Sequence, residues 1–291
     1  MNAIRRDEST DNIHSIFVDQ WDWEKIIHKE DRNLDYLKET VRTVYKCLRK
    51  TEQYMAIQYD YIDLILPKEI FFITSQELED LFPDNTPKER EYYITKAKGA
   101  VCIMQIGDTL ESGEPHDGRA PDYDDWALNA DILVYYPVLD IALELSSMGI
   151  RVDKTALISQ LDKAGCPERK DLPFQKSIID GTLPYTIGGG IGQSRICMFF
   201  LRKAHIGEVQ SSLWPEENNF QPCEGKHGIS ALINFILHKL KIKQKQKNQR
   251  GKNEKKRFFL FLYYLSPLNY SYKVSSSASH MRYPTPSSFT I

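Results

Sequence analysis

The chain has 291 residues, 41% of them hydrophobic and 27% charged, with a formal net charge of -2. That balance fits a soluble globular protein with a sizeable core, in one large or two small domains. The charge is uneven: from Lys239 onward 12 Lys and Arg stand against one acid, leaving 26 against 39 before it, so the body is acidic and the tail basic.

Cys47, Cys102, Cys166, Cys197 and Cys223 are odd in number and widely spaced. They suggest neither a disulfide framework nor a zinc site, and a reducing, cytoplasmic setting is expected. The charged N-terminus carries no apolar signal segment, and the apolar run Phe258 to Leu265 is too short to span a bilayer. Neither secretion nor a membrane partner is expected.

Ile13 to Trp23 alternates as a strand does, with Ile16, Val18, Gln20 and Asp22 on one face and Phe17, Asp19 and Trp21 on the other. From Leu34 to Tyr54 the apolar residues Leu37, Val41, Val44, Tyr45 and Leu48 fall at helical spacing and predict a covering helix. A strand over Glu69 to Thr74 gives way at Ser75, read as a cap, to a short helix. Thr86-Pro-Lys-Glu is a capping box with Pro at the first helical position, opening a helix that ends before Gly99. Val101 to Ile106 reads as a buried strand and Gly107 to Asp125 as a long polar loop, of the length that often covers an active site. Asp131 to Val152 predicts an antiparallel hairpin turning near Pro137 to Asp140. Asp131 and Glu144 lie at similar distances from that turn, so pairing brings them near each other, and opposed carboxylates call for a cation. A divalent metal meets that need; two acids facing water is the alternative.

The densest signal is Tyr185 to Arg195, YTIGGGIGQSR, where an apolar run enters a glycine-packed turn and leaves on a helix carrying Arg195. Without a Cβ, Gly188, Gly189, Gly190 and Gly192 permit close approach of backbone and a flat ligand. Arg195 then offers a fixed cation to a phosphate, or a planar face to a base. The run is no Walker loop, because Gln193, Ser194 and Arg195 follow where Lys and Ser or Thr are required. It is no dinucleotide fingerprint either, because Gln193 stands where Gly is needed. A nucleotide site of another kind is expected, the alternative being a plain tight turn.

Four segments in order, SIFVDQWDWEK (Ser15 to Lys25), RAPDYDDW (Arg119 to Trp126), ELSSMGIRVD (Glu144 to Asp153) and GGGIGQSR (Gly188 to Arg195), closely resemble the aspartate-ammonia ligase family. The likeness runs from Met1 to about Pro215. It implies an α+β fold like the catalytic domain of class II aminoacyl-tRNA synthetases, with a central antiparallel sheet flanked by helices and its N-terminal part missing. The domain would span residues 1 to 215, with a basic, disordered tail over 216 to 291. The resemblance also implies ATP as a substrate with Mg2+, aspartate and ammonia as the other reactants, a homodimer, and no nucleic-acid partner. Aspartate would attack the α-phosphorus of ATP to give β-aspartyl-AMP, and ammonia would then displace AMP.

By the same resemblance, Arg5 grips the α-phosphate as the motif 2 arginine, and Gln20 is catalytic and substrate-binding. Asp22, Arg119, Asp124 and Arg151 meet the amino acid or the loop beside it. Ile13, Ser15, Ser146, Ser147, Gly188, Gly189, Gly190 and Arg195 border ATP, and Asp131 and Glu144 hold the metal. Family chains carry roughly a hundred further residues before the position of Met1. A fragment or non-catalytic paralogue that pairs with a full-length subunit is therefore a second reading. A class II aspartyl- or asparaginyl-tRNA synthetase relative is a third.

Overall fold

The computed structural model describes residues 1–214; the expected tail over 216–291, with its basic run, lies outside the described residues. The architecture is α+β, as expected. Seven strands form one sheet in the order β1-β2-β7-β6-β5-β4-β3. They are β1 (Asn2–Ile4), β2 (Phe17–Ile26), β3 (Phe71–Thr74), β4 (Ala100–Met104), β5 (Asp124–Tyr136), β6 (Ile141–Arg151) and β7 (Thr186–Gly192). All neighbours pair antiparallel except β3 with β4.

Alternation along the strands sorts two hydrophobic layers. Ala100, Cys102 and Met104 of β4 join one core, with Ile132 and Val134 of β5 and Met148 and Ile150 of β6. Helices α1 (Leu34–Gln58) and α6 (Gln193–Phe200) cover that core. In α1, Leu37, Val41, Val44, Tyr45 and Leu48 are buried at the predicted spacing, and Asn33 caps the helix by accepting from the Tyr36 N–H at 2.9 Å. Each such side chain contributes about 1.5–3 kcal/mol by leaving water. On the opposite face Val101 and Ile103 pack with Leu78 and Ile94 under α2 (Ser75–Leu81) and α3 (Pro87–Lys98). These helices lie over β3, β4, β5 and the hairpin end of β6, so β2, β7 and the rest of β6 are left on that face for a cleft.

Sequence and structure differ at several boundaries. The predicted strand over 13–23 is displaced to Phe17–Ile26, because residues 5–16 form the connection that crosses from β1. Thr74, not Ser75, caps α2: its hydroxyl accepts from the Glu77 N–H at 3.1 Å while Glu77 reaches back to the Thr74 N–H at 2.8 Å. Asp124 and Asp125 begin β5 and do not end the polar loop. The glycine run is not a turn. Gly188 to Gly192 are part of β7, hydrogen-bonded to β2 on one side and β6 on the other. None of these glycines has positive φ, so the run needs glycine for close packing and not for an unusual backbone.

The loop between β4 and β5 is fastened to α3 by a buried pair, His116 Nε2 lying 3.2 Å from Glu91 Oε1. Burial raises the Glu91 carboxyl, but hydrogen bonding to His116 and the charge of Lys88 outweigh it and hold it below its usual value. A carboxylate held low stabilises the fold above the ordinary range and loses that contribution as pH falls through its folded value. Wild type should therefore lose its advantage over Glu91→Gln as pH drops from 6 to below about 4; urea midpoints across that range measure it.

Candidate active site

A cleft of about 770 Å3 opens over β2, β7 and β6. Its floor is β7. Gln20, Asp22 and Glu24 of β2 stand opposite Gly192, Gly190 and Gly188, and Ser147 of β6 stands opposite Gly190 on the other side. A Cβ on Gly190 would sit 3.2 Å from Asp22 Oδ1 and 3.3 Å from Gln20 Oε1, so bare main chain leaves the space between these side chains open. A Cβ on Gly189 would point the other way, 2.6 Å from both Met148 Cβ and the Ser147 carbonyl. Gly188 lies off the cleft wall, beneath the ion pair of Glu24 and Arg151. Gly189→Ala should therefore lower stability by about 1–3 kcal/mol, since neither contact can swing aside. Gly190→Ala should fold within about 0.5 kcal/mol of wild type, since its Cβ would meet only the side-chain ends of Gln20 and Asp22. Urea midpoints for both variants make the comparison.

Around this floor the structure gathers most of the expected residues. Arg5 follows β1, its N–H bonded to the Ile16 carbonyl at 2.8 Å. Its guanidinium, 54% exposed, meets Glu8 at 3.0 Å. Ile13 and Ser15 lie in the same connection on the cleft wall. The buried Ser15 hydroxyl donates to Gln210 Oε1 at 2.5 Å; Gln210 Nε2 donates to Asp19 at 3.2 Å, and Ser194 Oγ donates to Asp19 at 2.6 Å. This network ties the β1–β2 connection to α6 and to the segment after it. Ser146 turns its hydroxyl to the Gly190 carbonyl at 2.9 Å, which ties β6 to β7. The Met1 amino group donates to the Gln20 carbonyl at 2.8 Å and lies 3.3 Å from Asp22.

Arg151 is the hub of a second network. It donates to Glu24 Oε2 at 2.8 Å and to Asp124, and Tyr123 stacks on its guanidinium with the ring centre 4.0 Å away. Burial pushes the Asp124 carboxyl up more than Arg151 pulls it down.

Asp131 and Glu144 are not register partners. Asp131 faces Ser147 and Glu144 faces Leu133, and the pairing slips between Ile132 and Leu133. Leu145 is the extra residue of this bulge, and it returns Glu144 to the face that carries Asp131. The acids do come near each other. Each also has a cation, a need the sequence reading filled with metal: Arg119 pairs with Asp131, and Arg195 lies 3.7 Å from Glu144. Asp131 lies behind the cleft wall. Burial first, and then the charge of Glu144, push its carboxyl up to about 7, although Arg119 opposes both. Its Oδ1 accepts no hydrogen bond among the described residues.

Sequence reading missed Asp19, Tyr123, Glu24, Lys88, Ser194 and Gln210, all except Glu24 on the cleft wall. Glu24 was legible by period two from Gln20 and Asp22. Lys88 and Gln210 were not, because they reach the cleft from elements distant in sequence.

The family described as aspartate-ammonia ligase matches residues 1–227. The aspartate–ammonia ligase of Clostridium tetani is 65% identical over 226 residues, covering 78% of this chain and 66% of the relative. That of Fusobacterium nucleatum is 62% identical over 217 residues, covering 75% and 66%. The chain thus spans about two thirds of the length of the curated relatives it matches. Among solved structures, the aspartyl tRNA synthetase of Entamoeba histolytica aligns with a TM-score of 0.52 at 16% identity, over 72% of this chain and 45% of that one. The asparaginyl-tRNA synthetase of Pyrococcus horikoshii, complexed with asparaginyl-adenylate, gives 0.52 at 16%, over 74% and 52%. These two likenesses fix the fold class alone.

Proposed function

The chain belongs to the aspartate-ammonia ligase family, and from that premise we propose that it joins ammonia to the β-carboxylate of aspartate at the expense of ATP. The observation that carries this is the cleft itself: a glycine floor between Gln20 and Asp22, ringed by Arg5, Arg119 and Arg195.

A carboxylate is a poor acyl donor until one of its oxygens becomes part of a good leaving group. Attack of the β-carboxylate on the α-phosphorus supplies that group as AMP and releases pyrophosphate, and ammonia then takes the carbonyl carbon. Arg5, half exposed and with Glu8 as its one carboxylate partner among the described residues, is free to meet the charge that develops on the α-phosphate. Gln20 and Asp22 receive the amino acid from β2. Arg151 turns to the substrate carboxylate by releasing Glu24, its more exposed partner. Glycine at 190 lets the flat parts of the ligands rest on main chain.

Mg2+ accompanying ATP fits Asp131 and Glu144. The unpartnered buried Oδ1 of Asp131 and the nearby Glu144 are oxygen donors suited to a hard cation. Among the described residues no cluster of three or more His, Cys, Asp or Glu could hold a metal, so its remaining ligands would be phosphate and water. The ion would neutralise phosphate charge. Homodimeric assembly rests on the family likeness and is tested by light scattering. Among the described residues no helix is long and apolar enough to cross a membrane; the cytoplasm is the compartment we propose.

The test uses aspartate labelled with heavy oxygen in its β-carboxylate, together with ATP, Mg2+ and ammonium. Label in AMP, and asparagine formed in step with it, are expected. Label in inorganic phosphate instead would replace adenylation by phosphorylation, and charging of tRNA above background would move the chain toward the synthetases.

A further inference from the structure

Lys88 stands in the first turn of α3 on the wall of the cleft, with its side chain 75% exposed, so packing does not account for it. Its ammonium lies 3.0 and 3.1 Å from the two oxygens of Glu91. Glu91 is buried and also contacts His116, on the loop that brings Asp117 and Arg119 to the cleft. Partial enclosure works against the charge on Lys88, yet Glu91, Asp117 and Glu144 more than offset this and its proton is held more tightly than in water. Those same through-space partners place Lys88 on the Glu144 side of the cleft, where Arg119 and Arg195 also converge. Three cations on one side suit a polyanion, whereas the carboxylates of Asp22 and Asp124 suit an ammonium.

We propose that Lys88 binds the β- and γ-phosphates of ATP and then the departing pyrophosphate, with Glu91 and His116 as its positioning residues. The assignment rests on the adenylation reading. In that step a β-carboxylate oxygen bonds to the α-phosphorus while the bond from that phosphorus to its bridging oxygen breaks. The electron pair stays with pyrophosphate, so negative charge grows toward Lys88 as it is shared out at Arg5.

Calorimetric titration of ATP, AMP and pyrophosphate into wild type, Lys88→Met and Lys88→Arg, all with Mg2+, tests this. Lys88→Met should weaken ATP and pyrophosphate about tenfold, leave AMP within about twofold, and be largely rescued by Lys88→Arg. Unchanged ATP affinity in Lys88→Met, or AMP weakened as much as ATP, overturns the assignment. A wild-type chain that takes up neither ATP nor AMP overturns the adenylation reading and the assignment with it, and that result is recognised before any variant is made.

Discussion

Replacing Arg5 by alanine should lower the rate of aspartate-dependent AMP formation about 100- to 1000-fold, the size of effect seen when one donor to a developing oxyanion is removed. The fold should hardly notice. Arg5 is half exposed and its one ion pair among the described residues, to Glu8, is partly open to water, worth about 0–1 kcal/mol. Rate and stability therefore separate at this position, which few residues on a cleft wall allow. The loss should fall on kcat more than on KM for aspartate, since the interaction strengthens only as phosphorus is attacked. Lysine should restore little, because its point charge lacks the planar fork that spans two phosphate oxygens. A variant that keeps wild-type turnover would remove Arg5 from the chemistry.

Arg151 should behave in the opposite way, with stability and binding failing together. Its side chain and that of Asp124 are 11% and 12% exposed, so Arg151→Met leaves a buried carboxylate without its cation. Such a break costs about 3–5 kcal/mol. Glu24 adds little to this, being well exposed and open to water. Burial already pushes the Asp124 carboxyl up, so the variant takes up a proton there sooner than wild type and its deficit grows with pH. Arg151→Met combined with Asp124→Asn should recover most of the stability and none of the aspartate affinity. Chemical denaturation of the single and double variants decides it: a double variant as unstable as the single would place the role of Arg151 elsewhere.

Much of the site was legible because it lies on strands whose side chains obey period two. Gln20 and Asp22 share a face, and the capping signals at Thr86 and the helical spacing of Leu37 to Leu48 came through intact. The glycine run has the expected property, close approach, but in a strand and not in a turn. Glycine is a poor strand former, and only hydrogen bonding to both β2 and β6 makes it one here. Partnerships across the chain were beyond reach. Nothing local links Arg119 to Asp131, Gln210 to Ser15, or His116 to Glu91, since each pair is made by packing of separated elements. Nor does any sequence pattern report that Asp131 is buried while Glu144, thirteen residues on, lines the cleft.

The unpaired residue at Leu145 absorbs one position of chain without costing the hairpin its phase. Deleting it would make β6 as regular as any strand in the sheet, and Glu144 would still stand opposite Leu133 and Ser146 opposite Ile132, so each residue would keep its side. What would go is the local bend and added twist that a bulge gives its strand, beside the carboxylate that faces Arg195. A one-residue gap at this place in a related chain therefore marks a straighter strand and a retained acid, whereas a gap within the regular pairing, with no spare residue to take it up, turns the rest of the strand over.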